Sequence, residues 1–84
     1  MTRRDKLIQR FLSFPRDFDW QELVTMLNSL GYEQVSGGKS AGSRVKFLHR
    51  TLPPISLHKP HPTSILKHYQ LEQVAEILKE EGLV

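Results

Sequence analysis

Ser43-Arg44-Val45-Lys46-Phe47-Leu48-His49-Arg50 decides the fold class, together with Ile55-Ser56-Leu57-His58 beyond the Thr51-Leu52-Pro53-Pro54 turn. In the first run Val45, Phe47 and His49 fall on one side, and Arg44, Lys46 and Leu48 on the other. A period of two is that of a half-exposed strand, here with a basic outer face. The paired prolines turn the chain, so Ile55 to His58 reads as a second strand antiparallel to the first. Upstream, Tyr32 to Ser36 reads as a short strand, joined to Ser43–Arg50 by Gly37-Gly38-Lys39-Ser40-Ala41-Gly42.

The flanks have a different period. Thr2 is a plausible N-cap with Asp5 three residues on, and Leu7, Ile8, Phe11 and Leu12 follow at helical spacing. A first helix is expected from about Arg3 to Ser13, stopped by Pro15. Asp17 to Asp19 connects it to a second helix, which Asp19 caps. There Trp20, Leu23, Val24, Leu27 and Leu30 form an i, i+3, i+4, i+7 stripe closed by Gly31. Lys59-Pro60-His61-Pro62-Thr63-Ser64 is a rigid loop. A last helix is expected from about Lys67 to Glu81, with Leu71, Val74, Ile77 and Leu78 inward and Gly82 as its stop. The order is α-α-β-β-β-α. It describes an α+β fold, a three-stranded antiparallel sheet covered on one face by helices. Trp20, Phe47 and Tyr69 are assigned to the core; His49 and His68 are assigned to the surface or to local hydrogen bonds.

The chain has 84 residues, enough for one domain. It has no cysteine, which excludes a disulfide framework, thiolate metal sites and a cysteine nucleophile. That composition is compatible with the cytoplasm, the expected location. No apolar run approaches the ~18 residues of a membrane span. The basic start is followed by apolar residues broken by Gln9 and Arg10, so it does not read as a secretory signal.

The net charge is only +3, but its distribution is uneven. From Glu33 to Glu72 no acid intervenes, while the interval holds Lys39, Arg44, Lys46, Arg50, Lys59 and Lys67 and all four histidines. Such a strip attracts polyanions, nucleic acid foremost, or an acidic protein partner. The glycine loop is no P-loop, because a strand rather than a helix follows Lys39-Ser40. Its backbone N–H groups can still follow phosphates. His58-Lys59-Pro60-His61 puts two histidines and a lysine just past a strand end, where a scaffold holds functional loops. Histidine can act as base or acid near neutrality, and lysine offsets charge developing on phosphate. A zinc site lacks ligands here, with no cysteine and no carboxylate nearby. No metal or other cofactor is expected. A winged-helix DNA binder lacks its recognition helix.

Taken in order, Leu30-Gly31-Tyr32, Gly42-Ser43, Lys46-Phe47, His58-Lys59-Pro60-His61-Pro62 and Ile77-Leu78-Lys79-x-x-Gly82-Leu83 make a pattern. The pattern resembles the HicA family of small toxins from bacterial and archaeal toxin–antitoxin systems, over about Asp19 to Val84. The resemblance implies a fold like that of a double-stranded-RNA-binding domain. It further implies metal-independent ribonuclease action on messenger RNA and neutralisation by a HicB-type antitoxin. Residues 1–18 are then an N-terminal helical extension to a domain at 19–84.

One position departs from the family. The usual Gly-Ser-His motif reads Gly42-Ser43-Arg44 here, and the family's histidine is the presumed base. Arginine stays protonated and cannot be a general base, though it can bind phosphate or stabilise a transition state. The base is therefore expected at His58 first and His61 second. Lys39, Gly42, Ser43, Arg44, Lys46 and Lys59 are expected to contact RNA. The alternatives are a non-catalytic RNA-binding domain and an antitoxin-binding interaction module; self-association is open.

Overall fold

Two reciprocal caps start the first two helices. The Thr2 hydroxyl accepts the Asp5 N–H at 3.1 Å while the Asp5 carboxylate accepts the Thr2 N–H at 3.4 Å. Asp19 Oδ2 accepts the Gln21 N–H at 2.9 Å, and Glu22 Oε1 accepts the Asp19 N–H at 3.2 Å. Each pair satisfies donors that a helix start leaves unmet. The computed structural model describes residues 2–36 and 44–84. Its elements are α1 (Arg3–Leu12), α2 (Trp20–Ser29), β1 (Glu33–Ser36), β2 (Arg44–Leu48), β3 (Ile55–His58) and α3 (His68–Glu80). The order matches the α-α-β-β-β-α expectation. Ser13, Lys67 and Glu81, which the sequence reading places inside helices, are instead their caps.

The sheet is a meander in the order β1-β2-β3, antiparallel throughout. Val45 is half-buried and Phe47 buried, while Arg44, Lys46 and Leu48 are exposed. Ile55 and Leu57 are buried and Ser56 and His58 exposed. The helices therefore cover one face, as the alternation requires, and the other face is open. Phe47, Ile55 and Leu57 join Trp20, Leu23, Leu27, Leu71 and Leu78 in one apolar cluster. Burial of each such side chain is worth about 1.5–3 kcal/mol. This is the α+β, dsRBD-like arrangement.

Two further residues enter the core from segments that carry no periodicity. Phe18 lies in the Asp17–Asp19 connector, yet it is fully buried, its ring 5.5 Å from that of Phe11. Leu66, between the proline loop and α3, is also buried. Both are held by backbone pairing: Leu66 N–H donates to Phe18 O at 2.8 Å, and Trp20 N–H to Ser64 O at 2.8 Å. The Ser64 hydroxyl completes the clasp by donating to Asp19 Oδ1.

α1 packs on α2 and α3 and contributes Phe11 to the shared core. Arg10 locks it there. Its Nε donates to Glu22 Oε2 at 2.8 Å and its Nη2 to Glu22 Oε1 at 3.1 Å, with a further bond to the Asp17 carbonyl. Bidentate pairing of this kind adds geometry as well as charge.

Two expectations about the core need correction. Tyr69 is not a core residue: it is 61% exposed, because the first turn of α3 turns it outward while Gln70 and Leu71 point in. Ile77 is half-buried at the edge of the cluster, and Ala75 takes the inward position beside Val74. Trp20 and Phe47 are buried as expected, their rings 5.8 Å apart.

Candidate functional site

The open sheet face carries the charge. Register places Arg44 directly opposite His58, and Lys46 opposite Ser56 on one side and Val35 on the other. Directly opposed residues on one face lie within reach of each other. All of these side chains are exposed. Among the described residues no carboxylate lies within ion-pair distance of Arg44, Lys46 or His58. The His58 ring makes no hydrogen bond there either. Exposed on one face, these cations and the histidine can meet an anion.

The chain is folded so that this end of the sheet is firmly held. Gln70, only 4% exposed, donates from Nε2 to the His58 carbonyl at 2.9 Å and accepts the Lys67 N–H on Oε1 at 3.0 Å. One amide thereby joins the end of β3 to the start of α3. β3 is an edge strand of the sheet. A shallow concavity of about 280 Å³ opens along this edge, lined by Arg44, Ser56, His58, Tyr69 and Gln73 among others.

His61 does not line that concavity. It borders a second one, formed by the loop Lys59 to Ser64. Of the two histidines singled out in the sequence, the structure brings His58 together with Arg44 and leaves His61 elsewhere. Lys59 follows His58 in the chain, but the Asp19 carboxylate feels its charge. Asp19 is held below the usual carboxylate range by the Ser64 hydroxyl first, then by the Gln21 N–H, with Lys59 contributing. Lys39, Gly42 and Ser43 lie outside the described residues.

The other two histidines are engaged. Nδ1 of His49 accepts the N–H of Thr51 at 3.1 Å and of Leu52 at 3.3 Å, so the ring carries its proton on Nε2. His49 also packs edge-on against Tyr32, centroids 4.9 Å apart. His68 pairs with Glu72 one turn along α3 and meets the Phe14 ring edge-on at 5.4 Å. Among the described residues no group of His, Cys, Asp and Glu side chains is gathered so as to hold a metal ion.

Two residues of this region escape a sequence reading. Gln70 carries no signal, because a glutamine at an inward helical position looks like a break in the stripe. Tyr69 has one in retrospect: it lies two positions before the inward Leu71, the wrong offset for the stripe Leu71, Val74, Leu78.

A three-stranded antiparallel meander with helices on one face is a small α+β domain with a dsRBD-like fold. A model of the HicA toxin of bacterial toxin–antitoxin systems matches residues 20–83. The chain belongs to that family, as its resemblance in sequence implies, and is the toxin member of a system that includes an antitoxin partner. The match begins at the start of α2, so α1 lies outside it. No curated protein and no solved structure matches the chain. No helix among the described residues is long and apolar enough to cross a membrane.

Proposed function

We propose that this toxin is an endoribonuclease that cuts messenger RNA in the cytoplasm, using the RNA's own 2′-hydroxyl as nucleophile. The observation that carries the reading is the opposition of Arg44 and His58 on the exposed face of β2 and β3. His58 takes the 2′-hydroxyl proton as general base. The 2′-oxygen attacks phosphorus, the bond to the 5′-oxygen breaks, and the departing oxygen takes a proton from solvent. Arg44 and Lys46 hold the phosphate and offset the charge that builds on it. Lys59, Lys39, Gly42 and Ser43 extend the contacts to neighbouring phosphates. The products carry a 2′,3′-cyclic phosphate and a 5′-hydroxyl, and the scheme calls for no cofactor. A HicB-type antitoxin is the neutralising partner, and residues 1–18 are an addition to the domain at 19–84.

A second reading has its own observation. Arg44 stands where the family pattern has histidine, and without a base the same face binds RNA through phosphates alone. One experiment separates the two. Wild type, His58→Ala and His61→Ala are incubated with mixed-sequence RNA in EDTA, and the fragment ends are analysed. The proposal expects cyclic-phosphate ends from wild type and from His61→Ala, and little product from His58→Ala. Intact RNA that still shifts on a gel identifies the binding domain. Fragments ending in 5′-phosphate point to attack by water and sink the scheme.

A further inference from the structure

The chain has seven aromatic residues, and six of them are buried or half-buried in packing. Tyr69 is the exception, 61% exposed at the rim of the concavity that Arg44 and His58 line. Its ring is therefore available to a ligand that enters the concavity. Gln73 lies one turn further along α3 on the same helix face, exposed and lining the same concavity. Its amide offers two donors and an acceptor. Gln70, between them in sequence, is consumed by His58 and Lys67 and takes no part.

We infer that Tyr69 and Gln73 form a nucleobase subsite beside the phosphate held by Arg44: the Tyr69 ring stacks on one base and Gln73 meets that base's edge. The inference rests on the RNA reading above and deepens it. A flat ring is what a base face accepts, whatever the base. At about 280 Å³ the concavity is smaller than the ~300–1,000 Å³ pockets that enclose drug-sized ligands, and it is open-sided. That suits one ring system lying over Tyr69 with its phosphate toward the sheet. Stacking on a side chain requires a base out of its helix, which single strands, loops and bulges supply and a regular duplex does not. The subsite therefore selects unpaired RNA, although the fold is of a type that elsewhere reads duplex shape.

The test measures binding of a short fluorescein-labelled single-stranded 2′-O-methyl RNA, which lacks the attacking hydroxyl and stays intact. Wild type is compared with Tyr69→Ala, Tyr69→Phe, Gln73→Ala and Arg44→Ala, with circular dichroism confirming that each is folded. Tyr69→Ala is expected to weaken binding roughly 5- to 100-fold, while Tyr69→Phe stays near wild type. The dependence of affinity on salt stays that of wild type in Tyr69→Ala and becomes shallower in Arg44→Ala, since only arginine displaces counterions. Gln73→Ala changes the ranking among homopolymers more than the mean affinity. If Tyr69→Ala binds as wild type while Arg44→Ala weakens, the RNA reading stands and the subsite falls. If no variant and no wild type binds RNA, the RNA reading itself falls and takes the subsite with it.

Discussion

His49 and His58 stand at the ends of adjacent strands, yet their surroundings differ in kind. Around His49 the ring is held through Nδ1 and by packing. Two backbone N–H groups donate to its Nδ1, Tyr32 packs on its ring, and Gly31 leaves room for Nε2. A Cβ on Gly31 would sit 2.7 Å from that nitrogen, and the φ of +99° disfavours any side chain there in any case. Around His58 the backbone is held by Gln70, but among the described residues its side chain and those of Arg44 and Lys46 make no ion pair. The same residue type thus serves a turn in one place and is left available in the other. Hydrogen-bonding capacity left unmet on a rigid scaffold is the mark of the second kind.

The widest separation between the two regions is expected in rate. His58→Ala lowers cleavage ~10²–10⁴-fold with an unchanged melting temperature, because the exposed ring contributes no packing. The comparison breaks if His58→Ala retains full cleavage, or if His49→Ala matches its loss while remaining as stable as wild type.

Next comes a change confined to the engaged region. Gly31→Ala pays the left-handed backbone penalty of about 1–2 kcal/mol and also displaces His49. The melting temperature is expected to fall by roughly 5–15 °C in a domain of this size. RNA affinity at the Arg44 face is expected to be unaltered. A melting temperature equal to that of wild type contradicts the role given to the glycine.

A pH scan tests how the region near His58 is anchored. The Asp19 carboxyl is lowered chiefly by the Ser64 hydroxyl, and that of Glu22 chiefly by its hydrogen bond with Arg10. A carboxyl whose folded pKa lies below its unfolded one stabilises the fold above the unfolded pKa. That contribution is lost as pH falls through the folded pKa. Stability is therefore expected to hold through neutral pH and to drop below ~4, the ordinary carboxyl range. Asp19→Asn is expected to flatten the acid limb and lower the melting temperature slightly at pH 7. An acid limb identical to wild type removes the anchoring role.

The smallest effect belongs to Tyr32. Its hydroxyl is buried without a partner among the described residues, and burial raises its pKa. Tyr32→Phe removes an unsatisfied group and keeps the ring against His49, so stability is expected to change by less than about 1 kcal/mol, upward if at all. A clear loss, measured by denaturant unfolding, reveals a hydrogen bond to that hydroxyl.

Much of this is legible in the sequence. Asp19 and Glu22, three residues apart, announce the start of α2, and Gly31 its end. The alternation from Arg44 to Leu48 already separates a charged face from a buried one. Lys46 and Arg44 could be assigned to the outside on that basis alone. Phe18 could not be placed, because a lone aromatic in the Asp17–Asp19 connector has no period to show its direction. Tyr69 was misread because an aromatic near an apolar stripe looks like part of it until the helix's rotation is known.

The local elements follow from sequence because caps, glycines and periodicity act between residues a few positions apart, where chain geometry leaves few alternatives. The alternation also determines that the outer face is basic, and the order of motifs determines the family. Which residues meet is another matter. That Arg44 faces His58, that Ser64 binds Asp19 across 45 positions, and that Gln70 clamps β3 depend on strand register and helix rotation. Those are settled by how the whole core packs, since a one-residue slip exchanges the buried and exposed sets. Only the tertiary structure therefore decides which of two neighbouring histidines lies beside the arginine, and that Tyr69 stands in solvent next to them.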